Sequence, residues 1–144
     1  MKILLVDDNY LQGEWLAEEL KRAFWTKPLW LQTESEFRGR LGEIEAMSPD
    51  VAVIDVMLKW ADPSPNAPLR PADATDKHSA GLRCQALLGM REATKKIPVI
   101  LYTVLSDADL RTKLPNLPPG VSYLGKDSDA EPLVRRIREV VKEV

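Results

Sequence analysis

The chain is poor in the residues that most readily announce a chemistry. It holds one cysteine, Cys84, and one histidine, His78, among 144 residues. A lone cysteine cannot close an intramolecular disulfide, and this pair cannot furnish a zinc tetrahedron. A reduced, cytoplasmic setting is expected. Long hydrophobic runs are also missing. The first apolar stretch, Ile3 to Val6, stops at Asp7, short of the roughly 7 to 15 apolar residues of a signal-peptide core. No run reaches the roughly 18 residues that span a bilayer, so no membrane association is expected. Nor does one sign of charge prevail: 20 Lys and Arg stand against 22 Asp and Glu, for a formal net charge of -2. Without a broad cationic field, direct nucleic-acid binding is not expected. Neither GxxxxGK[ST] nor GxGxxG occurs, so a nucleotide would find no phosphate cradle.

What remains is ordinary globular composition, 44% hydrophobic and 29% charged, at a length suited to one domain spanning residues 1–144. Four apolar runs are too short for helices and read as strands buried on both faces: Ile3 to Val6, Val51 to Val56, Ile97 to Tyr102 and Val121 to Leu124. Leu29 to Leu31, after Pro28, is a weaker edge candidate. Helical spacing marks Leu11 to Phe24, where Leu16, Leu20, Ala23 and Phe24 share a face. It continues over Glu34 to Met47, weakened by Gly39 and Gly42, then Gly81 to Thr94 and Asp107 to Leu114. Asp129 to Val144 is the last, with Leu133, Ile137, Val140, Val141 and Val144 aligned. Such alternation predicts an α/β fold: a parallel sheet with right-handed crossovers and helices on both faces. One segment breaks the rhythm. Lys59 to Ala80 carries Pro63, Pro65, Pro68 and Pro71 without helical or strand period, an unusually long loop for a compact domain.

In open sheets of this kind chemistry gathers beyond the carboxyl ends of the strands. There the sequence puts Asp7 and Asp8 after the first strand, Asp55 in the third, Thr103 after the fourth and Lys126 after the fifth. Each alone has an ordinary reading: a helix cap for the acidic pair, a strand former for the threonine, a solvated lysine. Taken together, three neighbouring carboxylates repel unless a cation sits among them, and Mg²⁺, which prefers oxygen ligands, is the natural occupant. An Asp beside Mg²⁺ can attack a phosphoryl group while a lysine and a hydroxyl neutralise its oxygens. Asp55 would be the nucleophile, Asp7 and Asp8 metal holders, Lys126 the counter-charge and Thr103 the hydroxyl.

On these residues the chain resembles the response-regulator receiver domains of two-component signalling. "ILLVDDN" is similar to the family's acidic-pair strand, "PDVAVIDVML" to its acceptor strand, "IPVILYT" to its hydroxyl strand and "VSYLGK" to its lysine strand. The resemblance implies a flavodoxin-like, doubly wound five-stranded sheet of order 2-1-3-4-5. It implies a phosphorylation-dependent switch that takes a phosphoryl group on Asp55 from a histidine kinase or phosphotransfer protein and acts on a downstream protein. Mg²⁺ would be held by Asp8, Asp55 and the backbone carbonyl of Met57, with Asp7 acting through water. Thr103 would move toward the phosphoryl group and Tyr123 would swing inward behind it, although Tyr123 also reads as a strand aromatic packed on the last helix.

The chain departs from the family in several places. Asp127 follows the lysine where proline is usual, and Lys59 replaces the proline common four residues beyond the acceptor. Gly81 matches the glycine that usually opens the third helix, which makes the preceding loop long for the family. That loop reads either as a flap with Trp60 as an anchor or as a tolerated insertion, and His78 within it as a solvated residue rather than a phosphoacceptor. The positions that tune hydrolysis are Met57 and Leu105, both apolar, so a long-lived phosphoryl state is expected, with Val104 crowding the approach. Arg111, Lys113, Arg135, Arg136 and Arg138 fall on the face through which receivers often pair, a homodimer seam or a solvated basic face. No output segment follows the last helix, which fits a stand-alone receiver or one excised from a longer protein. The chain is expected to be a switch and not a turnover enzyme; a receiver-fold module that signals without phosphate is the alternative.

Overall fold

Side-chain alternation along the strands decides the layering. In the computed structural model, which describes residues 1–142, five strands form one sheet of order β2-β1-β3-β4-β5. They are β1 (Ile3–Val6), β2 (Leu29–Leu31), β3 (Val51–Ile54), β4 (Val99–Thr103) and β5 (Val121–Gly125), and every pairing is parallel. Leu4, Val6, Ala52, Ile54, Val99 and Leu101 point to one face, and Ile3, Leu5, Val51, Val53, Ile100 and Tyr102 to the other. Successive strand residues alternate sides, so a strand covered on both faces must be apolar throughout. All residues of β1, β3 and β4 are buried accordingly.

Helices cover both faces. On one side α1 (Tyr10–Phe24) and α6 (Glu131–Lys142) bring Leu16, Leu20, Leu133 and Ile137 onto the sheet. On the other, α2 (Glu34–Gly39), α3 (Leu41–Met47), α4 (Ala80–Gly89) and α5 (Asp107–Lys113) supply Phe37, Ile44, Cys84, Leu88 and Leu110. The expected doubly wound sheet and its order are present.

Several boundaries differ from expectation for identifiable reasons. The Glu34-to-Met47 helix is two, broken at Arg40, where φ is -112° and ψ is 19°. Gly39 and Gly42 flank that break and weaken helical continuity. The expected Gly81-to-Thr94 helix starts at Ala80 and stops at Gly89, because the Thr94 hydroxyl and the Arg91 N–H both donate to the Leu88 carbonyl. Those bonds satisfy the helix end within a turn. The third strand ends at Ile54 rather than Val56, the fourth runs Val99 to Thr103 rather than Ile97 to Tyr102, and the fifth extends to Gly125. Pro98, which has no N–H, precedes β4, yet its carbonyl still accepts from Ala52. The last helix starts at Glu131 because the Asp129 carboxylate accepts the Glu131 N–H instead of joining the helix. Val144, expected on its apolar face, lies outside the described residues.

The Lys59-to-Ala80 segment has more order than its composition suggests. It includes single 3₁₀ turns at Ala72–Ala74 and Lys77–Ser79, and Ala74 is buried. The carbonyls of Lys59 and Trp60 accept from the N–H groups of Glu34 and Ser35, which fastens the start of the segment to α2. Trp60 donates its indole N–H to the Pro68 carbonyl at 2.8 Å, and the Arg38 guanidinium lies 5.6 Å from its ring centre. A buried Glu34 carboxylate sits between Arg38 and Arg83, joining α2 to α4.

Candidate functional site

Backbone hydrogen bonds carry the sheet one residue past the strand ends and so aim the acidic residues. The Asp7 N–H donates to Leu31 O, the Asp55 N–H to Val6 O, and the Lys126 N–H to Thr103 O. Strand β1 pairs with β2 on one side and β3 on the other, so chain order reverses beside β1 and a crevice opens there. The helix cap of α1 is Asn9, whose side chain accepts the Gln12 N–H. The acidic pair is thereby released from the capping role. Asp7 is 1% exposed, so it is no solvated helix start.

Asp7, Asp8 and Asp55 each present a carboxylate oxygen, and these oxygens all lie within 4.8 Å of one another. The Lys126 ammonium reaches the cluster from β5, 2.7 Å from Asp55 Oδ2 and 2.8 Å from Asp7 Oδ2, and donates also to Gln12 Oε1 at 3.0 Å. No peptide bond among the described residues is cis, and with Asp127 in place of proline the lysine still meets both carboxylates. Asp7 accepts one bond on each oxygen, at Oδ1 from the Asn9 N–H and at Oδ2 from Lys126. Asp8 is half-buried and accepts the Lys59 N–H at 2.9 Å.

Burial pushes the Asp55 carboxyl above the ordinary aspartate range, with Lys126 opposing and Asp7 reinforcing the shift. Burial also works against the Lys126 ammonium, but Asp55 and Asp7 outweigh it and hold the lysine above its usual value. Three carboxylates against one ammonium leave a surplus of negative charge in a partly dry cleft. That donor set fits a hard divalent cation such as Mg²⁺. The oxygens of Asp8 and Asp55 and the Met57 carbonyl, which accepts no hydrogen bond among the described residues, could hold one.

A cavity of about 530 Å³ opens over this cluster, and Asp8, Asp55, Met57 and Lys126 line it. Thr103 is buried at the end of β4, its Oγ1 accepting the Leu105 N–H at 3.3 Å, and it makes no hydrogen bond to Asp55. Tyr123 is half-buried and donates its hydroxyl to the Leu105 carbonyl at 2.6 Å, so the loop after β4 ties threonine and tyrosine together. Val104, 68% exposed, lines the cavity, whereas Leu105 packs toward the core. Exposed His78 also lines it.

Sequence reasoning missed Gln12 and the far wall formed by Lys59, Lys77 and His78. A polar residue in the first helical turn after an acidic pair was the available signal for Gln12. For the wall there was none, because it depends on how the long segment folds back.

The fold is that of receiver domains. The receiver domain of a signal-transduction histidine kinase from Syntrophus aciditrophicus superposes with a TM-score of 0.68 at 21% identity, over 99% of this chain and 91% of that one. A Francisella response-regulator receiver domain gives 0.68 at 17% identity, over 99% and 97% of the two chains. The receiver domain of a sensor histidine kinase from Pseudomonas aeruginosa PAO1, described with a magnesium ion coordinated in its active-site cleft, gives 0.67 at 19% identity, over 98% and 97%. No protein-family model matches the chain, and no curated protein is similar to it in sequence.

Among the described residues no helix is long and apolar enough to cross a membrane.

Proposed function

We propose that the protein is a phosphorylation-dependent switch of two-component signalling that accepts a phosphoryl group on Asp55 from a histidine kinase or phosphotransfer protein. The observation that carries this reading is Lys126 Nζ held 2.7 Å from Asp55 and 2.8 Å from Asp7, beside a third carboxylate and at the floor of an open cavity. A mere structural ion pair would not need the third carboxylate or the access.

An Asp55 carboxylate oxygen attacks the donor's phosphorus in line; a phosphorus–oxygen bond forms and the donor's bond to phosphorus breaks, its electron pair leaving with the donor. Asp8, Asp55 and the Met57 carbonyl would hold Mg²⁺, with Asp7 acting through water. When bound, the ion neutralises charge growing on the phosphoryl oxygens. Lys126 supplies a further positive charge at the same oxygens. Thr103 follows the new phosphate, and because Leu105 bridges Thr103 to Tyr123, that movement releases the tyrosine hydroxyl and drives the switch. Apolar Met57 and Leu105 offer no group to orient a hydrolytic water, so the phosphoryl state is long-lived. The protein is a cytoplasmic switch that turns over no substrate beyond its own phosphate. Its output is a downstream protein, and the basic face of α5, β5 and α6 is either solvated or a seam between two copies.

Incubation with acetyl phosphate and Mg²⁺, followed by intact-mass measurement, tests this reading. One added phosphoryl group is expected, absent without Mg²⁺ and absent in Asp55→Asn. No mass gain in the intact protein would overturn it.

A further inference from the structure

The long segment between β3 and α4 returns to the acceptor site at its far end. There the Lys77 carbonyl accepts the Leu58 N–H at 3.1 Å, three residues beyond Asp55. The Asp76 carboxylate accepts from the His78 N–H at 2.9 Å and from the Ser79 hydroxyl at 3.0 Å, which closes the 3₁₀ turn. From the opposite side, the Lys113 ammonium of α5 lies 3.4 Å from Ser79 Oγ and 3.9 Å from Asp76. The turn is therefore held against both the acceptor strand's exit and the neighbouring helix. Lys77 and His78 form a wall of the cavity that contains Asp8, Asp55 and Lys126.

The charges around this cavity are unequally committed. Lys126 is engaged by Asp7 and Asp55, and Lys59 by Asp62 at 3.1 Å. Lys77 is exposed and enters no ion pair among the described residues. Three carboxylates meet one ammonium at the cavity floor, so a divalent cation brings the floor only to neutrality. A phosphodonor arriving with about two negative charges then finds no surplus positive charge there. Lys77, a residue of the wall whose ammonium enters no ion pair among the described residues, is the cation left to supply it.

We propose that Lys77 is a second phosphoryl-recognising cation, which draws a dianionic phosphodonor into the cavity and steadies its oxygens during transfer to Asp55. This inference rests on the reading of Asp55 as the acceptor. The ammonium acts by charge alone: the new phosphorus–oxygen bond forms at Asp55, the donor leaves with its electron pair, and Lys77 gains and loses no proton. It is a property of the long segment, since the turn that carries it is built by residues 76–79 folding back on Leu58.

The test compares wild type with Lys77→Gln, Lys77→Glu and Lys77→Arg, using acetyl phosphate and Mg²⁺ and following mass gain over time at several donor concentrations. All three replacements retain the backbone carbonyl that holds Leu58, and thermal melts check that the fold is intact. Loss of one charge at the mouth is expected to slow labelling about three- to tenfold at subsaturating donor, more for Lys77→Glu and little for Lys77→Arg. The gap narrows with added salt. Labelling of Lys77→Gln and Lys77→Glu at the wild-type rate overturns this inference and leaves Asp55 as acceptor. So does an equal loss in Lys77→Arg, which marks a role for the side chain other than charge. Failure of the wild type itself to label overturns the acceptor reading, and this inference with it.

Discussion

A β-carbon placed on Gly81 would lie 2.0 Å from the backbone carbonyl oxygen of Asp55. The Gly81 N–H meanwhile donates to Val56 O at 2.8 Å. The first turn of α4 is thus pressed against the main chain of Asp55, and the obstacle is backbone, which cannot swing aside as a side chain would.

Gly81→Ala is accordingly expected to cost at least about 2 kcal/mol, or roughly 6 °C in melting temperature for a domain of this size. Because the displaced atoms belong to Asp55, phosphoryl labelling should fall further than the loss of folded protein explains. Melting curves and labelling rates on the same sample check this. Gly39→Ala, where an added β-carbon meets nothing within 4 Å, is the contrasting control and should leave labelling unchanged.

The pH response of the metal-free protein has a definite sign. The folded-state pKa of Asp55 is raised, so between the ordinary aspartate value and the raised one the native state binds more protons than the unfolded chain. Stability contributed through this group therefore falls as pH rises through that window. Asp55→Asn removes the effect, and its stability relative to wild type should improve as pH climbs from about 4 toward 7. Denaturant unfolding in chelator across that range is the measurement; an unchanged difference contradicts the expectation.

Lys126 behaves in the opposite range. Its raised folded-state pKa gives stability that is fully present below the ordinary lysine value and is lost as pH rises through the folded one. Lys126→Met leaves three neighbouring carboxylates without their ammonium. Its penalty against wild type should be larger at pH 7 than near pH 4, because the raised Asp55 carboxyl ionises as pH climbs, and Mg²⁺ should recover part of it by mass action.

Glu34, 1% exposed, accepts two bonds from Arg83 at 2.7 and 2.9 Å and two from Arg38 at 2.9 and 3.3 Å. Arg83→Ala strands a buried carboxylate with one partner and is expected to cost about 2–3 kcal/mol. The double change Glu34→Leu with Arg83→Met, which removes the charge as well, should cost less than the single one. Chemical denaturation of both variants decides between them.

Cys84 faces the core at 0% exposure, and burial pushes its thiol far above the usual range. In the native protein it should resist alkylation by iodoacetamide and react only when α4 opens or the chain unfolds. Rapid modification of the folded protein would be incompatible with this packing.

The strands, the sheet order and the meeting of Asp7, Asp8, Asp55 and Lys126 could be read from the sequence for one reason. Parallel buried strands advertise themselves as short apolar runs, and whatever follows each run lands on the same edge. Helix ends were less legible, because they turned on single side chains with several possible roles. Asn9 and not the acidic pair caps α1, Thr94 closes α4 early, and Asp129 stands outside α6. The long segment was the least legible. Its proline content announced a loop but could not say that Lys59 would turn its N–H onto Asp8, a bond the proline usual at that position has no hydrogen to make. Nor could it place Lys77 beside the cavity, since that depends on a backbone bond between residues 19 positions apart, Leu58 and Lys77.

The same segment makes the chain divisible. Its tip at Leu69 is 94% exposed, while its two ends are fastened to α2 and to the exit of β3. A cut between Leu69 and Arg70 would separate a fragment bearing β1, β2 and β3 from one bearing β4 and β5, with the seam along the β3–β4 ladder in the middle of the sheet. Asp7, Asp8 and Asp55 would travel with the first piece, and Thr103 and Lys126 with the second. Neither fragment carries the whole of the proposed site, so on that reading two co-expressed halves regain labelling only by reassembling along this seam.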